Sequence, residues 1–201
     1  MRKDYLNKKF LSITAASLLL ASLIIINLPS SWAEPPLVIN EKSFNCLHDM
    51  QAVRGFFVSN LSGHLDETLT VANSTSGGEY PPGSVIQLIP NEAMVKREKG
   101  FNPITKDWEF FELDVSSSGT VIRKRGFQEV KNRFDGNCFA CHVKAKPEFD
   151  LICEQGHGCD ALPISRQVIE ALQNTDPRCS SNSSTFLQKI TAWLVKLFTS
   201  L

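Results

Sequence analysis

The stretch GSVIQLIPNEAMVKREKGFNPITKDWEFFELDVSSSGTVIRK (83–124) decides the fold. It breaks into four short runs of strand character, at 83–89, 93–98, 108–115 and 120–124. Turn residues such as Gly100, Pro103, Asp107 and Ser116-Ser117-Ser118-Gly119 separate them. In the third run Phe111, Leu113 and Val115 fall on one side and Glu112 and Asp114 on the other, because side chains alternate along a strand. The four runs predict an antiparallel meander with one face packed and one solvated.

Before the meander, residues 34–42 read as an extended lead-in, since adjacent prolines oppose helix. From about Asn45, Leu47, Met50, Val53, Phe57 and Leu61 recur at three- and four-residue steps, and Leu65, Leu69 and Val71 extend the pattern less strictly. That spacing predicts one or two amphipathic helices with Gly55 and Gly63 as weak points. Residues 73–83 read as a loop. After the meander, residues 165–173 suit a helix opened by a Ser165 cap and ended by Asp176-Pro177. The class expected is therefore α+β, an antiparallel sheet packed with N-terminal and C-terminal helices.

With 201 residues, 42% of them hydrophobic, the chain has the size and apolar content of one ordinary domain. Its 21 Lys+Arg balance 21 Asp+Glu, so it lacks the basic footprint expected of a nucleic-acid binder. The opening MRKDYLNKKF is basic, residues 10–33 carry no charge, and Ser31-Trp32-Ala33 offers small residues for cleavage. Residues 1–33 thus read as an export signal, with an uncleaved N-terminal anchor as the alternative. Export implies a periplasmic or equivalent compartment. Residues 34–176 form the expected domain and 177–185 a polar linker. In 186–201 Phe186, Ile190, Trp193, Leu194, Leu197 and Leu201 make a broad apolar helical face beside Lys189 and Lys196. Such a helix either docks on its own domain or meets a membrane surface or partner.

Cys138-Phe139-Ala140-Cys141-His142 is a Cys-x-x-Cys-His run, the attachment signature of a c-type haem. Two thiols three positions apart can add to the two vinyl groups of one porphyrin, and the next residue then offers imidazole to the iron. A thioredoxin-type pair would expect a βαβ setting, and a zinc site would need further ligands. The reading is one covalently attached haem c, with Cys138 and Cys141 as attachment points and His142 as proximal ligand. For a second axial ligand the candidates are Met50, Met94, His48, His64 and His157, each of which reads more simply as core or surface. The iron is therefore expected to be five-coordinate and open to small molecules. The alternative is a six-coordinate electron carrier. The other four cysteines, in an oxidising compartment, are expected to pair as Cys153–Cys159 and Cys46–Cys179.

The order YPPGSVIQLIPNEAMVKRE (80–98), DWEFFELD (107–114) and GNCFACHVKAKPEFDLICEQGHGCDALPI (136–164) resembles the cytochrome P-460 family of exported monohaem c-type cytochromes. The resemblance covers roughly residues 45–164. It implies a largely antiparallel sheet with helices and haem held beside it. It also implies small nitrogen species, hydroxylamine or nitric oxide, as ligand or substrate, and if the chain is an enzyme, a haem oxidoreductase. Catalytic members link a lysine to the haem edge. At the corresponding strand this chain has Gln87 and Leu88; Lys96 is the nearest substitute, but in the run Lys96-Arg97-Glu98-Lys99 it reads as an ordinary solvated lysine, with the haem cross-link as the alternative. Glu92, Glu109 and Glu112 are the carboxylates available to relay protons. A redox protein and a second copy of the chain complete the expected partners.

Overall fold

A computed structural model describes residues 36–179. The export-signal reading of 1–33 and the apolar helix expected in 186–201 lie outside the described residues. The described part is α+β, built on a six-stranded antiparallel sheet whose strands follow chain order. The strands are β1 (Gln51–Val53), β2 (Phe56–Asn60), β3 (Ser84–Gln87), β4 (Glu92–Lys96), β5 (Trp108–Ser116) and β6 (Gly119–Gly126). Three α-helices accompany them, α1 (Leu65–Asn73), α2 (Cys138–His142) and α3 (Arg166–Asn174). Among the described residues no helix is long and apolar enough to cross a membrane.

The four expected strands are β3 to β6, and α3 begins at the expected cap, where Ser165 accepts from the Val168 N–H. The expected helix over the forties and fifties is overturned. Leu47–Asp49 is a single 3-10 turn, and β1 and β2 form a hairpin pairing Val53 with Phe56. Arg54 makes the reversal with φ of 50°. Gly55 follows, and the Arg166 guanidinium lies where a Cβ would stand. The three- and four-residue spacing misled because its members separate in space. Val53 joins the core on one face of the sheet, while Met50 and Leu61 pack against the core on the other.

The expectation of one solvated face is also corrected. On the first face Val53, Phe56, Val58, Ile86, Met94, Trp108 and Phe110 form a core with residues of α1, Val130, Leu151 and Ile152. On the second, Val85, Ala93, Val95, Phe111 and Leu113 are covered by Ile39 and Phe44. Burying Phe110 and Phe111 on opposite faces contributes about 1.5–3 kcal/mol each. The lead-in is fastened there by polar contacts. Arg97 and Arg125 bond the Leu37 and Ile39 carbonyls at 3.1 and 3.3 Å, and both pair with Glu109.

Both disulfides expected from the cysteine count are present, Cys46–Cys179 and Cys153–Cys159. The first ties the end of the described chain to its beginning. Arg178, part of the expected linker, is packed beside Asp176 at 2.7 Å, so the body of the domain runs through residue 179. Asp176 also accepts from the Leu47 N–H at 3.0 Å.

Candidate functional site

Helix α2 is one short turn, and its position is set by Asn137. The Asn137 side chain caps the helix, accepting from the Ala140 N–H at 2.8 Å, and its amide donates to the Phe127 and Gln128 carbonyls at 3.1 and 2.8 Å. The Cys138 N–H donates to Val130 at 3.1 Å. Phe139 meets Phe127 and Phe110 edge-on, with centroids 5.5 and 6.1 Å apart, and the His142 ring meets Phe110 at 5.4 Å. The helical turn brings Cys138, Cys141 and His142 together, since residues three and four apart are neighbours on a helix.

Of the six cysteines, Cys138 and Cys141 alone are unpaired. Burial pushes the Cys138 thiol up to about 12, helped by the nearby Glu92 and Glu112 carboxylates. That is the reverse of the depressed thiol a disulfide-exchange pair uses.

His142 is oriented by one contact. Its Nδ1 lies 2.7 Å from the Leu151 carbonyl oxygen, which only accepts, so Nδ1 carries the proton and Nε2 keeps its lone pair. Burial lowers the pKa of the imidazole, with the Leu151 hydrogen bond opposing, so the neutral ring is favoured. The acceptor sits in an unusual loop. Asp150 and Leu151 are consecutive residues with positive φ, 48° and 66°.

Asp150 is held on two sides. Its carboxylate accepts from the Tyr80 N–H at 2.9 Å and from Lys96 Nζ at 2.8 and 3.0 Å. Lys96 Nζ also donates to the Lys106 carbonyl at 2.8 Å and lies 5.3 Å from the Trp108 ring. Lys96 is therefore no solvated lysine. It is 3% exposed, on the same sheet face as Met94 and the 138–142 run, with its ammonium engaged by Asp150 and Lys106. Sequence reading missed Asp150, Leu151 and Tyr80. The available signal was strand parity, which puts Lys96 on the side of Met94 and demands a buried partner for it.

The carboxylates are sorted by the same parity. Glu109 lies on the second face, between Arg97 and Arg125. Glu92 and Glu112 are cross-strand partners on the motif face. Burial raises the Glu92 carboxyl, opposed by the Arg133 N–H it accepts at 3.1 Å, and one Glu112 oxygen is buried with no partner among the described residues.

Candidates for a second axial ligand separate too. Met50 packs on the second face, His48 approaches the Gln173 carbonyl at 3.3 Å, and His64 approaches Glu67 at 3.2 Å. His157 stacks on Phe149 at 3.6 Å and approaches the Ile152 carbonyl at 2.8 Å. Met94 is buried in the core on the motif face. Of the two resemblance positions, Gln87 donates to the Pro90 and Glu92 carbonyls, and Leu88 packs against the motif-face core. A cleft of about 460 Å³, lined in part by Asp150, opens between residues 76–79, Lys106, Asp107, Pro147 and Glu148. No family model, curated protein or solved structure matches the chain.

Proposed function

We propose that the chain is an exported monohaem c-type cytochrome of the kind the cytochrome P-460 resemblance implies, with an iron site open to hydroxylamine, nitric oxide or a similar small nitrogen species. The observation that carries the reading is the donor set. Four of six cysteines are spent in disulfides, and the remaining two share one helical turn with a histidine whose Nε2 has no hydrogen-bond partner among the described residues. Those residues fit the group. Cys138 and Cys141 would hold haem c through thioethers, and His142 Nε2 would be the proximal ligand. Bound there, haem supplies a one-electron redox centre with a coordination position for a small molecule.

The protein's own contribution is orientation and surroundings. The Leu151 carbonyl fixes the imidazole tautomer and makes the ring a stronger donor. Phe110, Phe127 and Phe139 surround the motif with aromatic edges, and the Glu92 and Glu112 carboxylates lie near Cys138 on the same sheet face. The engagement of His48, His64 and His157 elsewhere, and of Met50 on the far face, supports an open sixth position. A second reading, a six-coordinate electron carrier without substrate, rests on Met94, which shares the motif-face core.

The test is expression alongside haem-attachment machinery, with absorption spectra of oxidised and reduced protein before and after nitric oxide. The open-site reading expects haem that survives denaturation and a high-spin spectrum that shifts with the gas. A low-spin spectrum indifferent to nitric oxide would favour Met94 ligation. A colourless, stable protein would overturn both.

A further inference from the structure

We propose that Lys96 is a positioning residue for the proximal histidine: its buried ion pair with Asp150 fixes the loop whose next carbonyl, Leu151, receives the His142 Nδ1–H. The inference rests on the haem reading above.

The chain of contacts is short and continuous. Lys96 projects from β4, an interior strand paired on both sides. Its ammonium meets both Asp150 oxygens at 2.8 and 3.0 Å, and the adjacent Leu151 carbonyl oxygen lies 2.7 Å from His142 Nδ1. Asp150 and Leu151 both adopt left-handed backbone, which side-chain-bearing residues disfavour. Such a conformation persists only where the surroundings over-determine it. Here they do so from three directions. Lys96 and the Tyr80 N–H grip the carboxylate, the Ile152 N–H returns to the Phe149 carbonyl at 2.8 Å, and Leu151 and Ile152 are buried in the core.

A buried ion pair gains little net stability over apolar residues of the same shape, so its presence calls for a use in specificity. The use available at this place is the direction of one carbonyl. An imidazole that ligates iron is tuned by what its other nitrogen donates to, and a fixed acceptor holds both ring orientation and basicity. With its ammonium engaged by Asp150 and the Lys106 carbonyl, Lys96 acts on the haem through this chain of contacts and not as a porphyrin cross-link.

Lys96→Met and Asp150→Asn, made in the haem-loaded protein, test the proposal by resonance Raman of the ferrous form and by reduction potential. Both variants should keep covalent haem, since attachment runs through Cys138 and Cys141. The iron–histidine stretch should move to lower frequency and broaden, and the potential should rise, as a weaker Nδ1–H hydrogen bond makes the imidazole a poorer donor. Asp150→Asn preserves an acceptor for Tyr80 and serves if Lys96→Met does not fold. Val58→Ala, in a fully buried residue of the same face, is the control for plain destabilisation and should leave band and potential in place. An unchanged band and potential in folded, haem-bearing variants overturns the clamp alone, as does an equal shift in Val58→Ala. A wild-type protein without covalent haem overturns the haem reading and the clamp with it.

Discussion

Replacing Lys96 by Met keeps most of the apolar stem and removes the ammonium from beside Asp150. Both side chains of the pair are nearly sealed from water, 3% and 5% exposed. The variant leaves the carboxylate with the Tyr80 N–H at 2.9 Å as its remaining partner. Breaking one side of a buried pair costs about 3–5 kcal/mol. The cost should depend on pH in a fixed direction. Burial already pushes the Asp150 carboxyl above its ordinary value, and the Lys96 ammonium is the first of the groups opposing that shift. Without Lys96 the folded-state pKa rises further above the unfolded value of about 3.9. A raised carboxyl pKa means the native state favours the protonated form. The penalty is therefore complete above the folded pKa and fades as pH falls through it. Urea unfolding followed by tryptophan fluorescence suits the measurement, because the Trp108 ring lies 5.3 Å from Nζ. At neutral pH the midpoint should fall by about 1–3 M, and the deficit should shrink at mildly acid pH. Adding Asp150→Asn should recover part of the loss. A deficit under about 1 kcal/mol at neutral pH, or one that ignores pH, would refute the reasoning.

Replacing Cys138 and Cys141 together by Ser should abolish covalent haem, whereas His142→Ala should keep it attached and disturb the spectrum. Haem retained through denaturation in the first, or an unchanged spectrum in the second, contradicts the assignment. The two disulfides should differ in weight because they close loops of different length, with separations of 133 and 6 residues. By loop entropy, removing Cys46–Cys179 costs about 5 kcal/mol and removing Cys153–Cys159 about 2.4 kcal/mol, and paired Cys→Ser melts showing the reverse order count against that account. Gly77→Ala should destabilise by more than about 1 kcal/mol, because φ there is +79° and the new Cβ would meet the Glu148 carbonyl at 2.1 Å. A melting curve matching wild type would mean the 77–148 contact is looser than described.

Much of the frame is legible in residue order because it depends on local rules. Alternation and turn residues place β3 to β6, and the Ser165 cap and Asp176-Pro177 bracket α3. The hairpin of β1 and β2 escapes the same rules. Its apolar residues imitate a helical period, and only pairing with β3 decides which of them face which core.

The site divides in the same way. Spacing in the sequence puts two cysteines and a histidine within five residues, and the cysteine count limits which are left to pair; that the five residues close a helical turn is seen in the fold. What only the tertiary structure decides is the company they keep. Lys96 meets Asp150 across 54 residues of chain, and the Leu151 carbonyl beside it meets His142, through a strand face and a loop of left-handed backbone. Such contacts are set by the closing of the sheet against its loops, where burial leaves an ammonium no alternative to its carboxylate.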